Sequence, residues 1–214
     1  MNEVVVLLHG LGRRFGCMNK IKNKLVSEGY EVINIGYPST TDSIEVLSER
    51  ILKRISNNNK FRNASKVHFV GTSLGAILIR MLLNKKKFTN IGNVVMISPP
   101  NHGSEIVDFF MGNIFLKNIF SFVMGKAGSQ LGTNDESLPN ILGPANYPLG
   151  IIAGKSKGFF SMLFNGPNDG KVSVESSKLE GMKEFIIVPY GHTFIMEQKM
   201  VINKVVNFIK CQKF

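Results

Sequence analysis

Cysteine is scarce in this sequence: Cys17 and Cys211 are the two it holds, near opposite ends of the chain. They fit neither a metal-ligand pattern nor a C-x-x-C pair, which argues against a zinc site and a thiol redox motif. They read as free thiols of a reducing compartment. Acidic residues are few as well. Fifteen Asp and Glu stand against 26 Lys and Arg, a formal net charge of +11. A basic surface attracts anionic partners. The basic residues are scattered, however (Arg13, Arg14; Lys20, Lys22, Lys24; Lys85, Lys86, Lys87), and no nucleic-acid motif accompanies them. The expectation is no nucleic-acid partner, with weak peripheral contact with an anionic membrane as the remaining electrostatic role. A secretory leader is missing from the start: Met1-Asn2-Glu3 runs straight into Val4-Val5-Val6-Leu7-Leu8 with no basic region or cleavage site. A cytoplasmic location is the expectation. Internal repeats and low-complexity tracts are missing too.

What is present is the composition of a globular chain, 43% hydrophobic and 19% charged over 214 residues. That length suits one domain, 1–214, with a core of ordinary size. Strand and helix patterns alternate. Val4–His9 is a continuous apolar run, as in a strand covered on both faces. A helix is expected over Met18–Glu28, with Ile21, Leu25 and Val26 on one side and Gly29 as its stop. Glu31–Tyr37 reads as a strand, and Asp42 as the cap of a helix carrying Ile44, Leu47, Ile51, Leu52 and Ile55 at helical spacing. Further strands are predicted at Lys66–Val70, Val94–Ser98, Leu149–Ala153 and Glu184–Pro189. Helices are predicted at Leu74–Asn84 and Glu197–Lys210, the last with Met200, Val201, Val205 and Phe208 inward. The alternation implies an α/β fold: a mostly parallel central sheet of about six strands with helices on both faces.

The alternation is interrupted between Ser104 and Gly143 by a stretch too apolar for a loop, including Ile106, Phe109, Phe110, Phe115, Phe120 and Phe122. Asp108, Lys117 and the Gly112-Asn113 pair break it, so it does not read as a membrane span. The segment 104–143 is expected to form one or two helices, either a small cap over the carboxyl edge of the sheet or part of the core. Gly125, Gly128 and Gly132 mark a flexible return.

The predicted strand at Lys66–Val70 leads directly into Gly71-Thr72-Ser73-Leu74-Gly75, and a helix follows at once. This is G-x-S-x-G between a strand and a helix, the setting that gives the pattern its chemistry. A sharp turn would hold Ser73 strained, with glycines where side chains would collide. The hydroxyl would stand at a helix N-terminus that favours developing negative charge.

With these residues the sequence resembles the α/β-hydrolase family, more narrowly its compact bacterial lipases and esterases and the relatives of the GPI-inositol deacylases. The resemblance covers nearly the whole chain. His9-Gly10-Leu11-Gly12 is similar to the H-G-x-G oxyanion loop, and Ser98-Pro99-Pro100-Asn101-His102-Gly103-Ser104 to the T-P-H-x-G-S segment. Asn168-Asp169-Gly170-Lys171-Val172-Ser173-Val174 resembles the D-G-x-V-P segment that supplies the acid, and Gly191-His192-Thr193 sits where the family places its histidine. The chain departs from the pattern at Thr72, where many lipases carry His, at Ala76, where many carry Gly, and at Ser173, where proline is common. The first two replacements are small enough for the turn, and the third alters loop stiffness.

A serine hydroxyl needs a base, and the base an orienting carboxylate. Of the four histidines, His192 alone falls between the last strand and the last helix. His9 is expected to support the oxyanion loop together with Gly10, His68 to be a satisfied core residue and His102 a structural loop residue. Asp169 is the expected acid, giving the chain order Ser, Asp, His. Asp108, Asp135 and Glu136 are weaker alternatives. The oxyanion donors should be the backbone N–H groups of Leu11 and Leu74. No motif suggests a metal, nucleotide or flavin, so no cofactor is expected.

The resemblance and the triad imply hydrolysis of a carboxylic ester through an acyl-enzyme, with a lipid or acyl-chain ester favoured by the apolar insertion. An acyltransferase or thioesterase would use the same groups. A hydrolase fold kept only for binding would more often lack one of them.

Overall fold

The computed structural model describes residues 2–86, 88–156 and 159–214; Lys87 of the basic scatter and Met1 lie outside the described residues. Six strands, β1 (Glu3–Leu8), β2 (Glu31–Ile35), β3 (Lys66–Thr72), β4 (Ile91–Ile97), β5 (Leu149–Gly154) and β6 (Glu184–Val188), form one sheet in the order β2-β1-β3-β4-β5-β6. Every neighbouring pair is parallel. The longer helices are α1 (Asn19–Ser27), α2 (Ile44–Ser56), α4 (Leu74–Lys85), α5 (Glu105–Gly112), α6 (Leu116–Ser129) and α9 (Lys199–Cys211). Single turns α3 (Asn59–Arg62), α7 (Leu138–Ile141) and α8 (Val174–Ser177) complete the set with 3₁₀ turns at Phe15–Met18, Phe159–Leu163 and Ile195–Glu197.

The alternation of β-strand side chains divides the core in two. Val4, Val6 and Leu8 of β1 join α2 and α4 in one cluster. Val5 and Leu7 point the other way, into the cluster made with α1 and α9. A strand covered on both faces must be apolar throughout, which is why these segments read as unbroken hydrophobic runs. Val107, Phe120 and Ala127 bring α5 and α6 onto the α2/α4 side.

Several local expectations are corrected by the packing. Val26 and Met200 are exposed. The inward stripe of α9 is instead Val201, Ile202, Val205, Val206, Phe208 and Ile209. The cap of α2 is Ser43, whose hydroxyl accepts from the Val46 N–H at 3.5 Å. Asp42, one residue earlier, pairs with Arg50 at 2.8 Å. The glycines expected to form a flexible return are packed. Gly125 kinks α6 at φ 69°, where a Cβ would stand 1.7 Å from the Thr40 carbonyl oxygen, and Gly128 is buried within the same helix. Among the described residues no helix is long and apolar enough to cross a membrane.

Candidate active site

The sheet order reverses direction between β1 and β3, since β1 leads to β2 on one side and the chain then returns to β3 on the other. A crevice opens at the carboxyl ends of strands at such a reversal. In this chain Leu8 is registered with Gly71. The loop beginning at His9 and the turn carrying Ser73 therefore emerge side by side.

Ser73 follows β3 and precedes α4 with φ 52° and ψ −122°, a conformation that costs a non-glycine residue energy. Close backbone approach dictates its neighbours. A Cβ on Gly71 would lie 2.6 Å from the Gly75 carbonyl carbon, and one on Gly75 would lie 2.3 Å from the Leu8 carbonyl oxygen. Gly10 faces Ser73 directly, with 3.3 Å between a Cβ built there and the Ser73 Cβ. The half-buried serine thus projects from a turn clamped against β1.

His192 arrives from the loop after β6, and Asp169 from the segment after β5. The imidazole Nε2 lies 3.0 Å from Ser73 Oγ, and Nδ1 lies 2.7 Å from Asp169 Oδ2. The other carboxylate oxygen accepts from the backbone N–H groups of Lys171 at 3.0 Å and Val172 at 2.8 Å. Burial opposes ionisation of Asp169. The charge and hydrogen bond of His192, with Ser98 and the Val172 N–H, outweigh it and hold the pKa below the ordinary value. The imidazole is buried, so the three groups meet largely out of water.

The loop after β1 is braced by its first residue. His9 Nδ1 donates to the Gly10 carbonyl at 2.9 Å, while Nε2 accepts from the Tyr37 N–H at 3.3 Å. The two rings stack at 4.0 Å, and the Tyr37 hydroxyl donates to the His9 carbonyl. Ser39 Oγ accepts from the Gly12 N–H at 3.0 Å. Neither the Leu11 N–H nor the Leu74 N–H is paired with an acceptor among the described residues.

The remaining expected candidates fall elsewhere. His68 Nε2 donates to Glu3 at 3.2 Å and Nδ1 accepts from the Asn93 N–H at 2.9 Å. His102 bonds Asn140 at 2.9 Å. Asp108 accepts from the Thr133 N–H at 3.0 Å, and Asp135 and Glu136 are exposed. Among the described residues no group of His, Cys, Asp and Glu is arranged to hold a metal ion.

A cavity of about 440 Å³ opens beside Ser73 and His192. Its walls are largely apolar, with Phe110, Ile119, Phe120 and Met124 from α5 and α6 facing Leu11 and Val172. Phe110 stacks on Phe120 at 5.2 Å.

No family model matches the sequence, and no curated protein does. Solved structures do match. A lipase of Bacillus licheniformis in its mature form superposes with a TM-score of 0.72 at 18% identity, over 98% of this chain and 91% of that one. An esterase from Exiguobacterium antarcticum gives 0.68 at 17%, over 97% and 92%. A phospholipase of Legionella pneumophila gives 0.75 at 14%, over 99% of this chain and 59% of its own length. The chain has the α/β-hydrolase fold.

Within the α/β-hydrolase fold several residues that position the site escape a reading of the sequence. Gly154 ends β5 where a Cβ would lie 2.5 Å from the Tyr190 carbonyl oxygen and 2.7 Å from Asp169 Cβ. Only glycine lets the Asp169 and His192 segments cross there. Ser98, after β4, is fully buried at φ 47°, with its hydroxyl facing the Asp169 carboxylate, where it helps hold the acid's pKa down. Arg80 of α4 donates to the carbonyls of Asn101 and Gly143, both at 2.9 Å, anchoring the Ser98–Ser104 segment. Burial lowers this guanidinium to about 10. Tyr37 and Ser39 lie beyond the end of β2, outside any motif.

Proposed function

We propose that this chain is a serine hydrolase that cleaves carboxylic esters, with Ser73 as nucleophile, His192 as general base and Asp169 as its orienting acid. The observation that carries the reading is the continuous hydrogen-bonded line from Asp169 through His192 to Ser73, at 2.7 and 3.0 Å, opening onto an apolar cavity. The lipases and esterases that share the fold accord with it.

The chemistry follows from the positions. Ser73 Oγ attacks the ester carbonyl carbon as its proton passes to His192 Nε2. Asp169 keeps the proton on Nδ1 and stabilises the imidazolium. The carbonyl oxygen becomes an anion, held by the Leu11 and Leu74 N–H groups, donors that need no reorganisation. Collapse of the tetrahedral adduct breaks the ester C–O bond, and His192 returns the proton to the departing alcohol. Water then attacks the acyl-enzyme by the same route and releases the acid.

On this reading residues 1–214 act as one domain and 104–143 as its cap, whose aromatic and Met side chains receive the acyl portion of a lipid or other acyl ester. The test is a series of p-nitrophenyl esters of increasing chain length, with Ser73→Ala in parallel and a fluorophosphonate probe to label the serine. Hydrolysis and labelling that both vanish in the variant support the assignment. Undiminished hydrolysis in Ser73→Ala sinks it. An added alcohol acceptor separates hydrolysis from acyl transfer.

A further inference from the structure

The cavity beside Ser73 is apolar on the side of α5 and α6 but carries two cations, Arg13 and Lys171, in its lining. Among the described residues no carboxylate side chain shares that lining. Among the described residues neither cation forms an ion pair. Arg13 is held in place: it donates to the Thr193 carbonyl at 2.7 Å, and its guanidinium lies 5.2 Å from the centre of the Phe194 ring. Lys171 follows Asp169 by two residues and is an exposed residue. The Asp169 carboxylate is committed to His192 and to two backbone N–H groups.

Both cations therefore sit on the His192 side of the site. That is the side on which the leaving alcohol must lie, because His192 returns the proton to it. The acyl portion occupies the aromatic side. We propose that the ester cleaved here bears an anionic group, a phosphate or a carboxylate, on its alcohol portion, and that Arg13 and Lys171 bind it. The inference rests on the ester-hydrolase reading above and narrows its substrate class. Partial burial, then the neighbouring Arg13 charge, hold the Lys171 pKa below the ordinary value. Two like charges facing one opening are relieved by an anion between them. An extended anionic oxygen group also suits the planar donor fork of Arg better than a neutral hydroxyl does.

The test compares matched esters of one acyl chain: 1-decanoylglycerol 3-phosphate against 1-decanoylglycerol, and 4-decanoyloxybenzoate against its methyl ester. The wild-type chain should show kcat/KM about tenfold or more higher for at least one anionic member, the size expected of charge-assisted hydrogen bonds. Which pair responds tells phosphate from carboxylate. The ratio should shrink as salt is raised. It should fall several-fold in Lys171→Gln and in Arg13→Gln, and below one in Lys171→Glu. Should Arg13→Gln not fold, the exposed Lys171 carries the test alone. Neutral esters cleaved as well as the anionic ones overturn the inference and leave the hydrolase standing. A preference that survives undiminished in the Lys171 variants overturns the assignment to these cations. Failure to cleave any of the four esters, with no labelling of Ser73 by a fluorophosphonate, removes the hydrolase reading itself.

Discussion

His192 is bonded to Asp169 twice: its backbone N–H donates to the Asp169 carbonyl at 2.9 Å, and its ring Nδ1 meets the carboxylate at 2.7 Å. The backbone bond fixes where the histidine loop lies, whatever the side chain of residue 169. The carboxylate then sets the ring's orientation and tautomer.

Asp169→Asn should therefore separate structure from chemistry. The backbone clamp stays, and the amide can present the wrong group to Nδ1. We expect native far-UV circular dichroism with kcat for ester hydrolysis lower by roughly 10³–10⁴-fold. A loss under tenfold would assign the acid to another residue.

Gly154→Ala tests the crossing of the two segments. The added methyl would meet the Tyr190 carbonyl oxygen at 2.5 Å and Asp169 Cβ at 2.7 Å, contacts that require backbone movement. Overpacking of this kind costs about 1–3 kcal/mol, read as a lower urea midpoint. Because the displaced groups orient His192, kcat should fall as well. Retained stability and activity together would show that the two segments yield freely.

Tyr37→Phe removes the hydroxyl that donates to the His9 carbonyl while keeping the ring stacked on the imidazole. The proposed oxyanion loop then loses one brace but no donor of its own. The expected result is a decrease of about tenfold in kcat with a smaller change in KM, since the loop's contribution rises as negative charge develops on the substrate. Steady-state kinetics on a soluble ester decide it; a pure KM effect would place Tyr37 in ground-state binding.

Two buried imidazoles set the acid side of stability. Burial is the main cause that lowers the pKa of both His9 and His68 below the ordinary 6.5, against the hydrogen bonds and, for His68, the Glu3 carboxylate, which raise it. Each also has one ring nitrogen accepting a backbone N–H, so a proton there would face a donor. Below about pH 6.5 the unfolded chain takes up protons that the folded chain refuses, so stability falls with pH until the folded-state pKa values are reached. Urea midpoints measured from pH 7.5 to 5 should decrease, and His68→Gln, which keeps one acceptor and one donor, should flatten the slope. A flat wild-type profile would mean that these imidazoles charge within the fold.

The central strands were legible because burial on both faces leaves them largely apolar, and the Ser73 turn was legible because backbone crowding demands Gly71 and Gly75 in the sequence itself. His192 and Asp169 could be named from their order after the predicted strands, and the structure brings His192 against Ser73 and Asp169 against His192. Less could be read where the signal was ambiguous. At the edges of an amphipathic stripe, such as Val26 and Met200, periodicity does not say which flank turns outward. Ser43 and Asp42 are both good caps, and only the backbone decides between them. Four-residue turns such as α3 and α8 are too short to show a period. Gly154 and Tyr37 act through segments remote in sequence, so no local pattern marks them.

The chain's serine leaves the third strand and its histidine follows the sixth, while the Leu11 loop begins at the first. Every hydrogen-bonded seam between β1 and β6 must close in the correct alignment before these groups converge. On the proposed chemistry, turnover is thus a report on the whole sheet: after dilution from denaturant, helical signal should return well ahead of turnover, because such distant pairings close slowly.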